Sequence, residues 1–151
     1  AGGHVGTVST LVLVPQVVDA VRIPVVAAGG IGDARGFVAA LSLGACGVQM
    51  GTRLLATHES IAPTESKEMI IRATEDDTIV TDTVTGKPCR FIKESLIEEN
   101  IPIAAGQICG MVKDIKRVKE VIDGIIRESE ILCAGLGDVA KKSGNHSSHE
   151  S

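Results

Sequence analysis

The sequence predicts an α/β fold built on parallel strands, and three observations predict it. Short apolar runs of Val, Ile and Ala alternate with helical runs as far as Ala56. The connections are tight and carry glycine, at Gly29, Gly30 and Gly32, at Gly44 and at Gly51. With no Trp or Tyr and only two Phe, the core must be aliphatic, which suits strands covered on both faces. Helix, strand, helix and strand in that order imply parallel strands joined by right-handed crossovers.

Taken in order, residues 1–6 (Ala-Gly-Gly-His-Val-Gly) read as a glycine-rich loop hanging from a strand that would precede Ala1. Pro15 suits a first helical turn, so a helix is expected over 15–21. A strand follows over 23–28, with Pro24 near its start. Gly29, Gly30 and Gly32 make the turn, and Asp33 is a natural N-cap. The next helix carries Phe37, Val38, Leu41 and Leu43, and Gly44 stops it. A strand is expected over 47–50, a partly exposed helix over 65–73, and extended chain over 78–82 and 89–93 about a turn at 85–88. A helical turn is expected over 94–99, broken by Asn100-Ile101-Pro102. The clearest helical periodicity spans 111–130, where Ile115, Val118, Val121, Ile122, Ile125 and Ile126 follow the i, i+3, i+4, i+7 pattern. That stripe reads as a terminal helix packed on the domain, with partner binding as the alternative. A barrel domain over 1–132 and a disordered Gly/Ser/Lys/His tail over 133–151 are the expected organisation.

Bulk properties exclude several classes. With 15 basic and 19 acidic residues the net charge is −4, which offers no footprint for nucleic acid. The scarcity of aromatic residues removes stacking platforms for bases. No apolar run reaches the roughly 18 residues that span a bilayer. The four cysteines form no C-x-x-C pair, so buried or incidental thiols of a reducing, cytoplasmic protein are expected, with no metal site. His146 and His149 are three apart, but a solvated tail explains them better than a metal does.

The motif of interest runs from residue 23 to 53. Two strands each end in glycine, at Gly29-Gly30 and at Gly51-Thr52. Bare backbone N–H groups can approach an anion there, with the following helix aiming its positive end at the same point. A dinucleotide fingerprint fails, because Arg35 stands where G-x-G-x-x-G needs glycine, and Gly86-Lys87-Pro88 is no Walker loop. Adjacent glycine turns at strand ends match the phosphate site of a (β/α)8 barrel, where Thr52 can add a hydroxyl donor. The alternative is that the glycines serve only tight turns.

These residues carry a resemblance. Ala1 to Gly6, Leu13-Val14-Pro15-Gln16-Val17, residues 23–31 and Gln49-Met50-Gly51-Thr52-Arg53 resemble the nitronate monooxygenase family, which includes the similar flavin-dependent enoyl-acyl-carrier-protein reductase II. The resemblance is weaker over 78–93 and returns at Ala105-Gly106-Gln107 and the helix after it. It implies the C-terminal part of an FMN-dependent (β/α)8 TIM barrel closed by an amphipathic helix. It implies that Gly30 and Gly51 bind the FMN phosphate, with Gly29, Gln49, Met50 and Thr52 beside them and Gly3 close to the flavin. His4 is then the catalytic residue: a base at the carbon next to the nitro group in the monooxygenases, or a group positioning or protonating an enoyl substrate in the reductases. Histidine as a type exchanges protons near neutral pH, which suits either role.

A full barrel typically needs about 250 residues. The chain opens within a glycine turn, so it is expected to be a fragment that does not turn over alone. Its linker over 100–105 is short for the family, and the sequence after Leu132 departs from it. Three functions stand at this point: FMN-dependent oxidation of alkyl nitronates with O2, reduction of an enoyl thioester with NAD(P)H as second cofactor, and a noncatalytic phosphate-binding half-barrel. The reading expects a small-molecule substrate and allows a homodimer formed through exposed barrel edges.

Overall fold

The structure, a computed structural model, describes residues 1–97 and 101–144. Among them, two sheets divide the strands. β2 (Val26–Ala28) and β3 (Gly47–Gln49) pair in parallel, with Val26 opposite Gly47 and Ala28 opposite Gln49. A separate antiparallel sheet has the order β1 (Gly3–His4), β5 (Cys89–Ile92), β4 (Thr78–Thr81). The helices are α1 (Thr10–Ala20), α2 (Ala34–Ser42), α3 (Thr52–Leu55), α4 (Thr64–Arg72) and α5 (Val118–Gly144). The expected parallel unit is therefore present, but the loop at 1–6 contains a short strand, because the free edge of β5 takes up Gly3 and His4.

α1 begins five residues before the expected start at 15. Ser9 accepts the Leu13 N–H at 2.9 Å, and Pro15 lies inside the helix. An interior proline removes the bond to the carbonyl four residues back, here that of Leu11. β2 is bare on one face, not covered on both as expected: Ala27 is 1% exposed and Val26 57%. α2 ends as expected. Its C-cap is Leu43, and Gly44 follows at φ +92, donating its N–H to Leu41 O at 2.9 Å.

Two apolar clusters result. Val14, Ala27, Ile31, Ala40 and Ala45 fill the space between the β2–β3 pair and helices α1 and α2. A second cluster, including Ile70, Ile92, Ile103, Cys109 and Val112, joins α4 to β5 and the segment after it. All four cysteines are free thiols, and burial pushes the Cys109 thiol above its ordinary value.

The last helix differs from expectation at both ends. Residues 107–111 form a 3-10 turn, and Lys116 bridges in parallel to Thr57, so 111–117 is not α-helical. α5 starts where carboxylates meet its first free N–H groups: Glu120 accepts from Arg117 N and Glu59 from Val118 N, each at 2.9 Å. It then continues to Gly144, so the tail expected from 133 is helical over 133–144. The expected break at Asn100, the end of the 94–99 turn and the His146–His149 pair lie outside the described residues. α5 packs on α2 and buries Val121 and Ile125, while Ile122 and Ile126 of the same stripe are 45% and 47% exposed. No helix among the described residues is long and apolar enough to cross a membrane.

Candidate flavin and proton-transfer site

The glycine cradle is built by β2 and β3. Gly29 and Gly30 leave β2 at φ +103 and +76, a region that residues with a Cβ avoid. The Thr10 hydroxyl at the start of α1 donates to Gly29 O at 3.0 Å and pins this turn from behind. Gly51, after β3, is different. Its φ is an ordinary −98°, and a Cβ there would meet nothing within 4 Å. Neither backbone strain nor packing calls for glycine at 51. Gly30 and Gly51 line one cavity of about 340 Å³ with Gly3, Gly29, Gln49 and Thr52. Side chains at 30 and 51 would project into open space, which is the space a phosphate would need. The residues present therefore fit an anionic group such as the FMN phosphate.

A third backbone segment braces this cavity. A Cβ on Gly2 would strike the backbone of Ala105 and Gly106, and one on Gly106 would lie 2.9 Å from Gly2 N. The two strips of bare backbone are pressed together. Gly106 N–H then donates to Thr52 Oγ1 at 2.9 Å. Thr52 is buried, and its own proton has no acceptor among the described residues, so it can donate into the cavity. The α2 N-terminus does not serve the cradle in the expected way. Asp33 accepts the Gly36 N–H at 3.1 Å and pairs with Arg35, so the positive end of α2 is already met by a carboxylate. Partial burial pushes the Asp33 pKa up, but the bonds from Arg35 and Gly36 outweigh it and hold the group below its ordinary value.

His4 lies on β1, opposite Cys89 of β5, and is exposed. Its Nε2 is 3.2 Å from Thr85 Oγ1, and Thr85 Oγ1 donates to Lys87 O at 3.0 Å. A hydroxyl has one proton. With that proton given to Lys87 O, Nε2 must donate to Thr85, and the neutral ring keeps its lone pair on Nδ1. His4 lines a second, larger cavity of about 880 Å³, which shares Gly29 and Gly30 with the first. The structure thus brings His4, Gly3, Gly29, Gly30, Gln49, Gly51 and Thr52 around one glycine pair. Met50 is apart: it packs against the small core and lines neither cavity.

The family model described as nitronate monooxygenase matches residues 1–144. The chain belongs to the nitronate monooxygenase family. A probable nitronate monooxygenase of Staphylococcus saprophyticus is 49% identical over 110 residues, covering 66% of this chain and 31% of that protein. The (3aS,4S,5R,7aS)-5-hydroxy-7a-methyl-1-oxo-octahydro-1H-indene-4-carboxyl-CoA dehydrogenase of Mycobacterium tuberculosis is 48% identical over 101 residues, covering 65% and 28%. FabK from Thermotoga maritima superposes with a TM-score of 0.84 at 36% identity, over 92% of this chain and 54% of that one. The nitroalkane oxidase from Streptomyces ansochromogenes superposes with a TM-score of 0.79 at 27% identity, over 90% and 51%. The chain spans about half the length of these solved relatives and about three-tenths of the curated ones.

Within this nitronate monooxygenase framework, several site residues have no local sequence signature. Thr10 and Thr85 are threonines among many, and each acts on a partner outside its own element. Gly106 carries a faint signal in Ala-Gly-Gln. Arg53 is buried and donates from Nη1 to Asp114 O and from Nη2 to Asp114 Oδ1, each at 2.9 Å. That clasp ties α3 to the segment leading into α5. The bond from Lys116 lowers the Asp114 pKa most; partial burial opposes it, and the Arg53 charge adds to the lowering.

Proposed function

We propose that the chain supplies the FMN-phosphate cradle and the proton acceptor of a flavin-dependent oxidoreductase that oxidises alkyl nitronates with O2. In this reading β2 and β3 are neighbouring strands of a (β/α)8 TIM barrel, and the cradle sits at their C-terminal ends. The observation that carries it is Gly51, a glycine that neither packing nor φ requires, facing Gly30 across an open cavity next to His4. Gly29, Gly30 and Gly51 would hold the phosphate with backbone N–H groups, and Thr52 with its hydroxyl. Bound FMN would supply the electron acceptance and transfer that no side chain can perform. Where the substrate arrives as the neutral nitroalkane, His4 would take the proton from the carbon next to the nitro group at Nδ1, giving the nitronate, while Thr85 holds its Nε2.

The test is oxygen uptake with an alkyl nitronate and no nicotinamide, on the complete protein. With the neutral nitroalkane as substrate, which still carries that proton, His4→Ala should lower oxygen uptake by about 10²-fold or more. Full turnover in that variant would remove the catalytic reading. A second reading is favoured by the 48% identity to a carboxyl-CoA dehydrogenase: a thioester substrate, reduced with NAD(P)H. NAD(P)H-dependent loss of a crotonyl thioester, without nitronate oxidation, would select it.

A further inference from the structure

We infer that Gly106 is a positioning residue of the phosphate cradle: its backbone N–H fixes the Thr52 oxygen so that the hydroxyl proton is offered to the phosphate. The assignment rests on the FMN-phosphate reading. Its cause lies on one edge of β5. Phe91 faces Ile79 of β4 on one side and Ala104 on the other, and Ile92 N–H donates to Ile103 O at 3.0 Å. β1 uses the same edge as Ala104, with Gly3 opposite Arg90 and His4 opposite Cys89. Both segments are antiparallel to β5, so they run in one direction and occupy consecutive places along it. The chain after Ala104 must therefore leave the edge where Gly2 enters it. The two cross there as bare backbone: a Cβ on Gly2 would lie 2.4 Å from Gly106 N.

Leaving the edge costs the Gly106 N–H a partner in the sheet, and a buried N–H needs an acceptor. Thr52 Oγ1 is that acceptor, at 2.9 Å, and both residues are buried. Gly106 has a φ of −87°, which any residue adopts, so its glycine serves the crossing and not the turn. A Cβ there would lie 2.9 Å from Ala1 C and Gly2 N, both of them backbone atoms. A hydroxyl held by an incoming N–H still has one proton to give. Thr52 lines the smaller cavity with Gly30 and Gly51, and no acidic side chain lines it. The acceptor left for that proton is the ligand. Without the bond from Gly106 the hydroxyl would spread its proton over several directions. With it, the donor is aimed before the ligand arrives, and less ordering is lost on binding. A hydroxyl that donates to an anion is also a stronger acceptor, so the two bonds reinforce each other.

Fluorescence titration of the full chain with FMN tests this in a double-mutant cycle. Gly106→Ala should weaken FMN about 3- to 10-fold, and Thr52→Val about tenfold or more. In the Thr52→Val background, adding Gly106→Ala should change the affinity by less than about twofold, because Gly106 acts through that hydroxyl. Thr52→Ser restores the hydroxyl, and with it the loss caused by Gly106→Ala. A loss as large in Thr52→Val as in the parent marks a purely structural glycine and overturns the inference, as does unchanged affinity in folded Gly106→Ala. If Gly106→Ala fails to fold, the Gly106 amide in ¹H–¹⁵N spectra decides. It should shift when FMN is added to the parent and stay in place in Thr52→Val. No shift in the parent, or a shift that persists in Thr52→Val, overturns the inference. Riboflavin separates the two claims. FMN that binds no more tightly than riboflavin removes the phosphate reading and the inference with it. FMN that outbinds riboflavin, with losses that simply add, removes the inference and leaves the cradle.

Discussion

The lobe that carries β2 and β3 is packed largely with alanine and valine, and the lobe that carries β4 and β5 packs isoleucine in equal number with its alanines. Small side chains let α1 and α2 lie close on the strand pair, and what that lobe offers the site is backbone: Gly29, Gly30 and Gly51. The isoleucine lobe offers side-chain chemistry. Thr85 holds His4, and Arg90 sits opposite Gly3. The difference suggests a division of labour, with one lobe shaped for close approach by an anion and the other for holding polar side chains in position.

The largest expected effect tests the packing half of that comparison. Ile92 is 1% exposed, and Ile92→Ala should cost about 2–5 kcal/mol of stability in denaturant melts. Val14→Ala in the other lobe should cost about 1.5 kcal/mol. Equal losses would erase the contrast. Next are the glycines. Gly30→Val should both strain the backbone, by about 1–2 kcal/mol, and fill the cradle. Gly51→Leu should leave the melt within about 0.5 kcal/mol of the parent, yet weaken FMN binding about tenfold or more in a flavin fluorescence titration. A melt lowered as much as by Gly30→Val would show that Gly51 is structural.

A smaller effect concerns the clasp. The Asp114 pKa is lowered in the folded chain, so its contribution to stability is full above the unfolded value of about 3.9 and is lost as pH falls through the folded value. Asp114→Asn should flatten that acid limb in melts taken below about pH 4, and an unchanged limb would place it on other carboxylates. The smallest effect is at Thr85. Thr85→Val removes one hydrogen bond to His4, so kcat should fall about 2- to 10-fold and ¹⁵N spectra should show the His4 ring losing its preference for the Nε2–H tautomer.

Local chemistry was legible in the sequence. Asp33 caps α2 and Gly44 ends it because each acts within one turn. The glycine turns that follow β2 and β3 were legible for the same reason. Pro15 misled, since proline suits a helix start and here sits inside α1. Residues 111–117 have helical periodicity, but the bridge from Lys116 to Thr57 draws them into an extended path. Glycine and serine in 133–144 point to disorder, although Ala134, Leu136, Ala140, Lys141 and Lys142 are good helix formers. What could not be read were the partners brought from afar. Thr85 is 81 positions from His4, and Gly106 is 54 from Thr52. No motif encodes such a meeting.

The two-residue length of β1 has a consequence for the order of events in folding. β2 meets β3 across a single helix, so the cradle closes a short loop. His4 is fixed only when the distant β4–β5 hairpin has formed and docked, after a far longer closure with its larger entropy cost. The same asymmetry holds for partial opening. The His4 strand is among the least anchored parts of the sheet and should release while the cradle stays shut. Amide exchange at His4 should therefore outrun that at Val48, and on the proposed reading the chain would pass through states able to hold a phosphate before they are able to move a proton.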